Sequence, residues 1–268
     1  MSHLNYYQHN EDYAEFLQNW SPDDFYAKYA DALCPPQPGE RVLDVGCGVG
    51  QVLMRLVKAG CDTYGVDISE PNISRAQRIT PRCQLYDGKF LPYPDQYFAS
   101  VGALNVLEHV EDPEGFIQEL VRVTKTGGRI VLSSPNFFRV FGFHDYHPRM
   151  RGLGNKWRNW RRLHEKRRQM ESDPESVRFD RMTPIVRETF NADDDAIVAT
   201  NPVEMEFFLE RAGCEVESVS CTDRYVPKLL DKVLNLTPHR YLMFNAFLIA
   251  KRIPQFQNEM NAENLAAA

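Results

Sequence analysis

The 268-residue chain contains no run of about 18 apolar residues, which leaves no candidate for a membrane-crossing helix. Its opening residues, Met1 to Tyr6, are polar and aromatic and lack the apolar stretch of a signal peptide. Cysteine is sparse, six residues at 34, 47, 61, 83, 214 and 221, and none of them forms a Cys-x-x-Cys pair. That scatter argues against a disulfide framework or a zinc site and predicts free thiols, no bound metal and a cytoplasmic address. There is no internal repeat. The composition, 43% hydrophobic and 25% charged, is that of an ordinary globular chain long enough to bury a full core. The net charge of −6 is unevenly spread. Residues 149–168 carry nine Lys/Arg against the single acid Glu165, so this stretch is strongly basic inside an acidic chain.

Residues 1–34 are rich in Tyr and Phe with acids between them and predict one or two amphipathic helices, broken near Ser21-Pro22. Pro35, Pro36, Pro38 and Gly39 form a connector that no helix can cross. From Arg41 onward, short apolar runs alternate with helical patterns. Strands are expected at 42–45, 63–66, 83–86, 98–104 and 129–133, with helices at 51–59 and 70–79 and another opening at Asp112-Pro113. Such alternation implies a parallel sheet with right-handed crossovers. Residues 137–199 break the rhythm, first basic and then acidic at Asp193-Asp194-Asp195. Regularity returns at Asn201-Pro202-Val203-Glu204, an N-cap, a proline at the first helical position and a capping glutamate. Two last strands are expected at 215–221 and 244–250, and a disordered tail at 254–268.

A strand, a glycine turn and a helix together make a general nucleotide-binding device, because glycine lets a ligand approach the backbone at a helix start. Here Val42-Leu43-Asp44-Val45-Gly46-Cys47-Gly48-Val49-Gly50 adds an acid two residues before the first glycine. A second acid, Asp67, ends the next strand in Tyr64-Gly65-Val66-Asp67-Ile68-Ser69. Further along come Tyr86-Asp87-Gly88, then Phe90-Leu91-Pro92-Tyr93-Pro94-Asp95, then Asn105-Val106-Leu107-Glu108-His109-Val110.

In this order, over residues 41–136, the motifs resemble those of class I S-adenosylmethionine-dependent methyltransferases, specifically the branch acting on small molecules such as quinone precursors. Ala99 departs from the pattern, standing where an aspartate is usual, at a position taken as structural. The resemblance implies an α/β fold, a Rossmann-like seven-stranded, mostly parallel sheet with helices on both faces, plus an inserted helical cap. In a single domain, residues 1–34 would be a helical lid, 35–136 and 200–252 the core, and 137–199 a cap on the acceptor side. The cofactor would be S-adenosylmethionine, leaving as S-adenosylhomocysteine. It has no pyrophosphate but carries a cationic amino group and a sulfonium, which suits an acid at Asp44. Asp67 would accept from the ribose hydroxyls, and Asp87 from the adenine amino group. Gly46, Cys47, Gly48, Gly50, Ile68 and Gly88 would line the nucleoside, and carbonyls near Leu104 and Asn105 would receive the methionine amine.

Methyl transfer from a sulfonium is an in-line displacement, for which the protein mainly aligns the acceptor and excludes water. Where the acceptor is a hydroxyl, a base is useful. His109 is one candidate, the alternative being that it pins its loop; His144 and His147, in Phe143-His144-Asp145-Tyr146-His147-Pro148, are the others. Tyr6, Tyr7 or Tyr13 of the lid would lie near the methionine end, and Trp20 and Phe25 would pack. Within the cap, Trp157, Trp160 and Leu163 recur at helical spacing and predict a helix over about 155–170 with a basic outer face. That face suits three roles: solvation balanced by acids such as Asp193 to Asp195, a peripheral membrane contact through 149–168, or recognition of an anionic acceptor.

Two other functions use related folds. Methylation of nucleic-acid bases calls for an Asn/Asp/Ser-Pro-Pro-Tyr/Phe motif after strand four, where this chain has Asn105-Val106-Leu107-Glu108, and no base-stacking module is visible. An NAD(P)-dependent oxidoreductase calls for Gly-x-Gly-x-x-Gly or a Tyr-x-x-x-Lys pair; no tyrosine here has lysine four residues on. The sequence leaves the acceptor, the methylated element and the oligomeric state open.

Overall fold

In the computed structural model, which describes residues 8–19, 23–142, 147–185, 193–222 and 227–254, the alternating pattern becomes a seven-stranded sheet. The strands are β1 (Arg41–Val45), β2 (Asp62–Asp67), β3 (Cys83–Leu85), β4 (Phe98–Leu104), β5 (Thr124–Pro135), β6 (Cys214–Thr222) and β7 (Asn245–Arg252). Their order is β3-β2-β1-β4-β5-β7-β6, and only β7 runs antiparallel to its neighbours. β1 and β4 read as near-continuous apolar runs because helices cover both faces of the sheet.

The helices are α1 (Glu11–Asn19), α2 (Asp23–Leu33), α3 (Gln51–Lys58), α4 (Glu70–Ala76), α5 (Pro113–Val123), α6 (Gly152–Ser172), α7 (Pro202–Arg211) and α8 (Lys228–Asn235). Their starts follow the predicted chemistry. The Ser69 side chain accepts from Asn72 N–H, Asp112 from Gly115 N–H, and Asn201 from Glu204 N–H, in each case with proline in the first turn. At α7 the box is reciprocal in a different way, because the Asn201 amide also donates to the Glu204 carboxylate. α3 turns Val52, Leu53 and Leu56 inward, each side chain contributing about 1.5–3 kcal/mol on burial. α8 had no counterpart in the sequence reading.

The cap departs from expectation at its inner face. α6 buries Asn159, Leu163 and Lys166, while Trp157 and Trp160 stay exposed. Lys166 is 2% exposed, and its ammonium reaches Asp180 at 2.9 Å and Glu204 at 2.5 Å. Asp180 also takes a bidentate pair from Arg162, at 2.6 and 2.9 Å. These acids face the basic helix, which itself carries Glu165 as a partner for Arg161, whereas Asp193 and Asp195 line the cavity described below. Phe137, Phe138, Met150, Leu163, Ala196, Ala199 and Val203 give the cap a small core of its own. Tyr6, Tyr7, Trp20, Ser21-Pro22, His144, Asp145 and the 255–268 part of the expected tail lie outside the described residues. Among the described residues, no helix is long and apolar enough to cross a membrane.

Candidate functional site

β1 and β2 end side by side, and the chain leaving β1 must turn at once into α3. Gly46 and Gly50 make that turn with φ of 72° and 91°. A Cβ at Gly46 would stand 2.3 Å from Val106 Cγ2, and one at Gly50 would stand 2.6 Å from Ile79 Cδ1. Gly46 and Cys47 N–H both donate to the Val66 carbonyl, at 2.8 and 3.0 Å, so the turn is tied to β2. Gly48 N–H donates to Asp67 Oδ2 at 2.8 Å. Asp67 Oδ1 accepts from Ser69 N–H at 2.9 Å and from the Asn72 amide at 3.3 Å. The acid predicted to hold the ribose therefore also shapes the loop beneath it. Burial raises its pKa, against the pull of these N–H donors.

Asp44 sits one strand over, buried, with Oδ1 accepting from the Tyr29 hydroxyl at 2.9 Å. Burial pushes its pKa up to about 7, opposed by the Tyr29 hydrogen bond and reinforced by the charge of Asp67. At the end of β4, Asn105 takes a left-handed φ of 54°, and its buried Oδ1 has no hydrogen-bond partner among the described residues. Asparagine is among the few non-glycine residues that adopt this conformation readily, and here it lines the cavity.

These groups share one cavity of about 930 Å³, near the top of the usual range for ligand pockets. Asp44, Gly46, Cys47, Gly48, Asp67, Ile68, Gly88, Leu104, Asn105 and His109 all line it. Two predicted residues, buried Gly50 and exposed Asp87, are not among the lining residues. Gly50 packs on α4, and Asp87 accepts from Lys89 and Phe90 N–H at 2.8 and 2.9 Å, leaving Tyr86 and Phe90 at the surface of the pocket. His147 is not among the lining residues; it is buried, accepts from Arg149 N–H through Nδ1 and packs edge-on against Phe137.

α1 roofs the cavity. Tyr13, Phe16 and Leu17 line it, Gln51 holds the helix by donating to Leu17 O at 2.9 Å, and Arg75 pairs with Glu11 at 2.9 Å. Tyr26 of α2 lines the same wall. Across from the glycine turn, the 3₁₀ turn Leu107–His109 meets the segment that precedes α7. Ile197 and Val198 N–H donate to Glu108 O at 2.9 and 3.0 Å, which brings Asp193 and Asp195 to the wall. His109 Nδ1 lies 3.6 Å from Asp195 Oδ2, and its Nε2 lies 3.8 Å from Glu108 Oε1. Sequence reasoning missed both aspartates as cavity residues, because their charge looked like balance for the basic helix.

The residues present fit S-adenosylmethionine: an acid for its cationic end, an acid for its ribose, a cradle that a Cβ would fill, and an orphaned amide at the strand end. Fold and site together resemble those of class I S-adenosylmethionine-dependent methyltransferase domains. Residues 43–132 match the family model described as a methyltransferase domain. Over 109 residues the chain is 34% identical to 27-O-demethylrifamycin SV methyltransferase of Amycolatopsis mediterranei, covering 37% of this chain and 40% of that protein. It is 35% identical over 104 residues to a ubiquinone biosynthesis O-methyltransferase of Coxiella burnetii, covering 37% and 44%. The matched segment thus spans less than half the length of either relative. Among solved structures, a SAM-dependent methyltransferase from Aquifex aeolicus aligns with a TM-score of 0.53 at 14% identity, over 91% of this chain and 99% of that one. The [4+2]-cyclase SpnF aligns equally well, 0.53 at 19% identity over 86% and 81%. Fold alone therefore does not assign the reaction.

Proposed function

We propose that this chain transfers the methyl group of S-adenosylmethionine to a small-molecule acceptor. The observation that carries the reading is the pair of buried acids, Asp44 and Asp67, at adjacent strand ends across one glycine turn and open to one cavity. When bound, the sulfonium supplies an already activated methyl group. The protein's work is then positional. Asp67 and the N–H groups it gathers fix the ribose side, Asp44 and the β4 end fix the amine, and α1 closes over both and excludes water. The acceptor's space is the remaining volume beside His109, Asp193 and Asp195. A polar acceptor set there meets groups able to take its proton, and His109 is the one imidazole among the lining residues.

Calorimetry with S-adenosylhomocysteine tests the cofactor half. Saturable one-to-one binding that D67A weakens at least tenfold is expected, and unaltered binding by D67A overturns the assignment. Isotopic methyl transfer into an extract of small molecules tests the reaction half. The ubiquinone relative is named an O-methyltransferase, which supports an oxygen acceptor here, while the ajmaline and sterol relatives are named for nitrogen and carbon. The outward face of α6 supports a second element of the reading, delivery of an amphiphilic acceptor from a membrane surface. Leu153, Trp157 and Trp160 are 86%, 60% and 44% exposed beside exposed Arg151, Arg158 and Arg168.

A further inference from the structure

We propose that Glu108, His109 and Asp193 form a binding site for one divalent metal ion at the acceptor end of the cavity. One ligand atom from each of the three lies within 4.8 Å of the other two, so an ion placed among them needs only small side-chain shifts to reach bonding distance. Asp195 stands beside them, its Oδ2 3.6 Å from His109 Nδ1.

The cluster is more than a gathering of acids. Glu108 is fully buried, and only one side of its carboxylate is satisfied: Oε2 accepts from Ser134 at 2.8 Å. Oε1 points toward His109 Nε2 and has no hydrogen-bond partner among the described residues. A buried carboxylate oxygen left open in this way is costly unless a cation or donor completes it. The two halves of the site are also held together independently of any ligand, through the Ile197 and Val198 hydrogen bonds to Glu108 O. Coordination positions not filled by protein would face the cavity, where His109 and Asp193 are lining residues.

One imidazole with two carboxylates suits manganese or zinc better than magnesium, which prefers oxygen alone. The role, though not the binding, rests on the methyl-transfer reading. An ion here would draw charge from an acceptor hydroxyl or carboxylate, orient it, and lower the pH at which a hydroxyl proton leaves for solvent or Asp195. The C–O bond then forms as the S–C bond breaks, with the sulfur keeping the electron pair. This would also make His109 a ligand whose loss affects acceptor turnover but not cofactor affinity.

The test uses the full chain, stripped with chelator and titrated with Mn²⁺ under paramagnetic resonance. One saturable site is expected, with the signature of a single coordinating imidazole nitrogen that disappears in H109Q. D193N and E108Q should weaken it at least tenfold, and D173N, an exposed acid elsewhere, should not. Because E108Q alters a fully buried group and could unfold the chain, D193N on the half-buried loop carries the same test alone. Absence of a saturable site for Mn²⁺ and for Zn²⁺, or wild-type affinity in both D193N and H109Q, overturns the proposal. S-adenosylhomocysteine binding, measured in chelator, should be unchanged in H109Q, D193N and D173N, which separates failure of this site from failure of the cofactor assignment.

Discussion

Gly102 decides how close Tyr29 can come to Asp44. It pairs with Asp44 across β1 and β4, and a Cβ there would stand 2.3 Å from the Tyr29 hydroxyl and 2.9 Å from Leu33 Cδ1. G102A is therefore expected to lower stability by about 1–3 kcal/mol, as overpacked cores do, and to weaken S-adenosylhomocysteine binding by displacing the tyrosine; thermal unfolding and calorimetry measure the two effects. The raised pKa of Asp44, about 7, has its own consequence. The folded chain holds this proton more tightly than the unfolded chain, so the group's stabilising contribution is complete below the ordinary carboxylate range and is lost as pH rises through about 7. A cationic ligand reverses the preference. At pH about 6, where much of the free Asp44 is protonated, cofactor uptake should release a proton, and the binding enthalpy should vary with the ionisation enthalpy of the buffer. The dependence should vanish in D44N; buffer-independent enthalpy in the unsubstituted chain would count against Asp44 as the partner of the cofactor's charge.

The caps at Ser69, Asp112 and Asn201 were legible from sequence because each is decided within four residues. N201A, which removes the box under the wholly buried start of α7, should cost about 0.5–2 kcal/mol, nearer the upper value given the burial, seen as a lower unfolding midpoint. Asp44 and Asp67 were legible for the same local reason, each being an acid within or ending a short apolar run that leads into a turn. Asp193 and Asp195 were not, since only the long-range bonds from Ile197 and Val198 to Glu108 bring them to the cavity. Composition pointed the other way, and Asp180 and Glu204, less conspicuous in sequence, took the place beside α6. His147 misled through its position after β5; a proline-led turn folds it inward against Phe137. Gln51 ties α1 over the cavity by donating to Leu17 O. Q51A should therefore loosen the roof more than the core. Cofactor dissociation measured by stopped flow should quicken severalfold while the unfolding midpoint hardly moves.

At the scale of the whole molecule, the basic stretch looks less like an isolated patch than its composition suggests, because Asp180, Glu165 and Glu204 answer part of it from within. What remains outward is a band of tryptophan, leucine and arginine. Co-sedimentation with vesicles containing anionic lipid should retain the chain at low salt and release it as salt rises, and W157A/W160A should bind several times more weakly. Charge-independent or absent retention would remove the membrane role and leave the cavity reading intact. The order of the sheet has a further consequence for synthesis. β7 lies between β5 and β6, so residues 245–252 complete both pairings although they are the last strand of this sheet in chain order. Until they emerge, β5 presents a bare edge and β6 has no neighbour to join. The nascent chain must wait with its central strands half-finished, and a ribosome that stops short of Asn245 would release a sticky fragment rather than a slightly smaller protein.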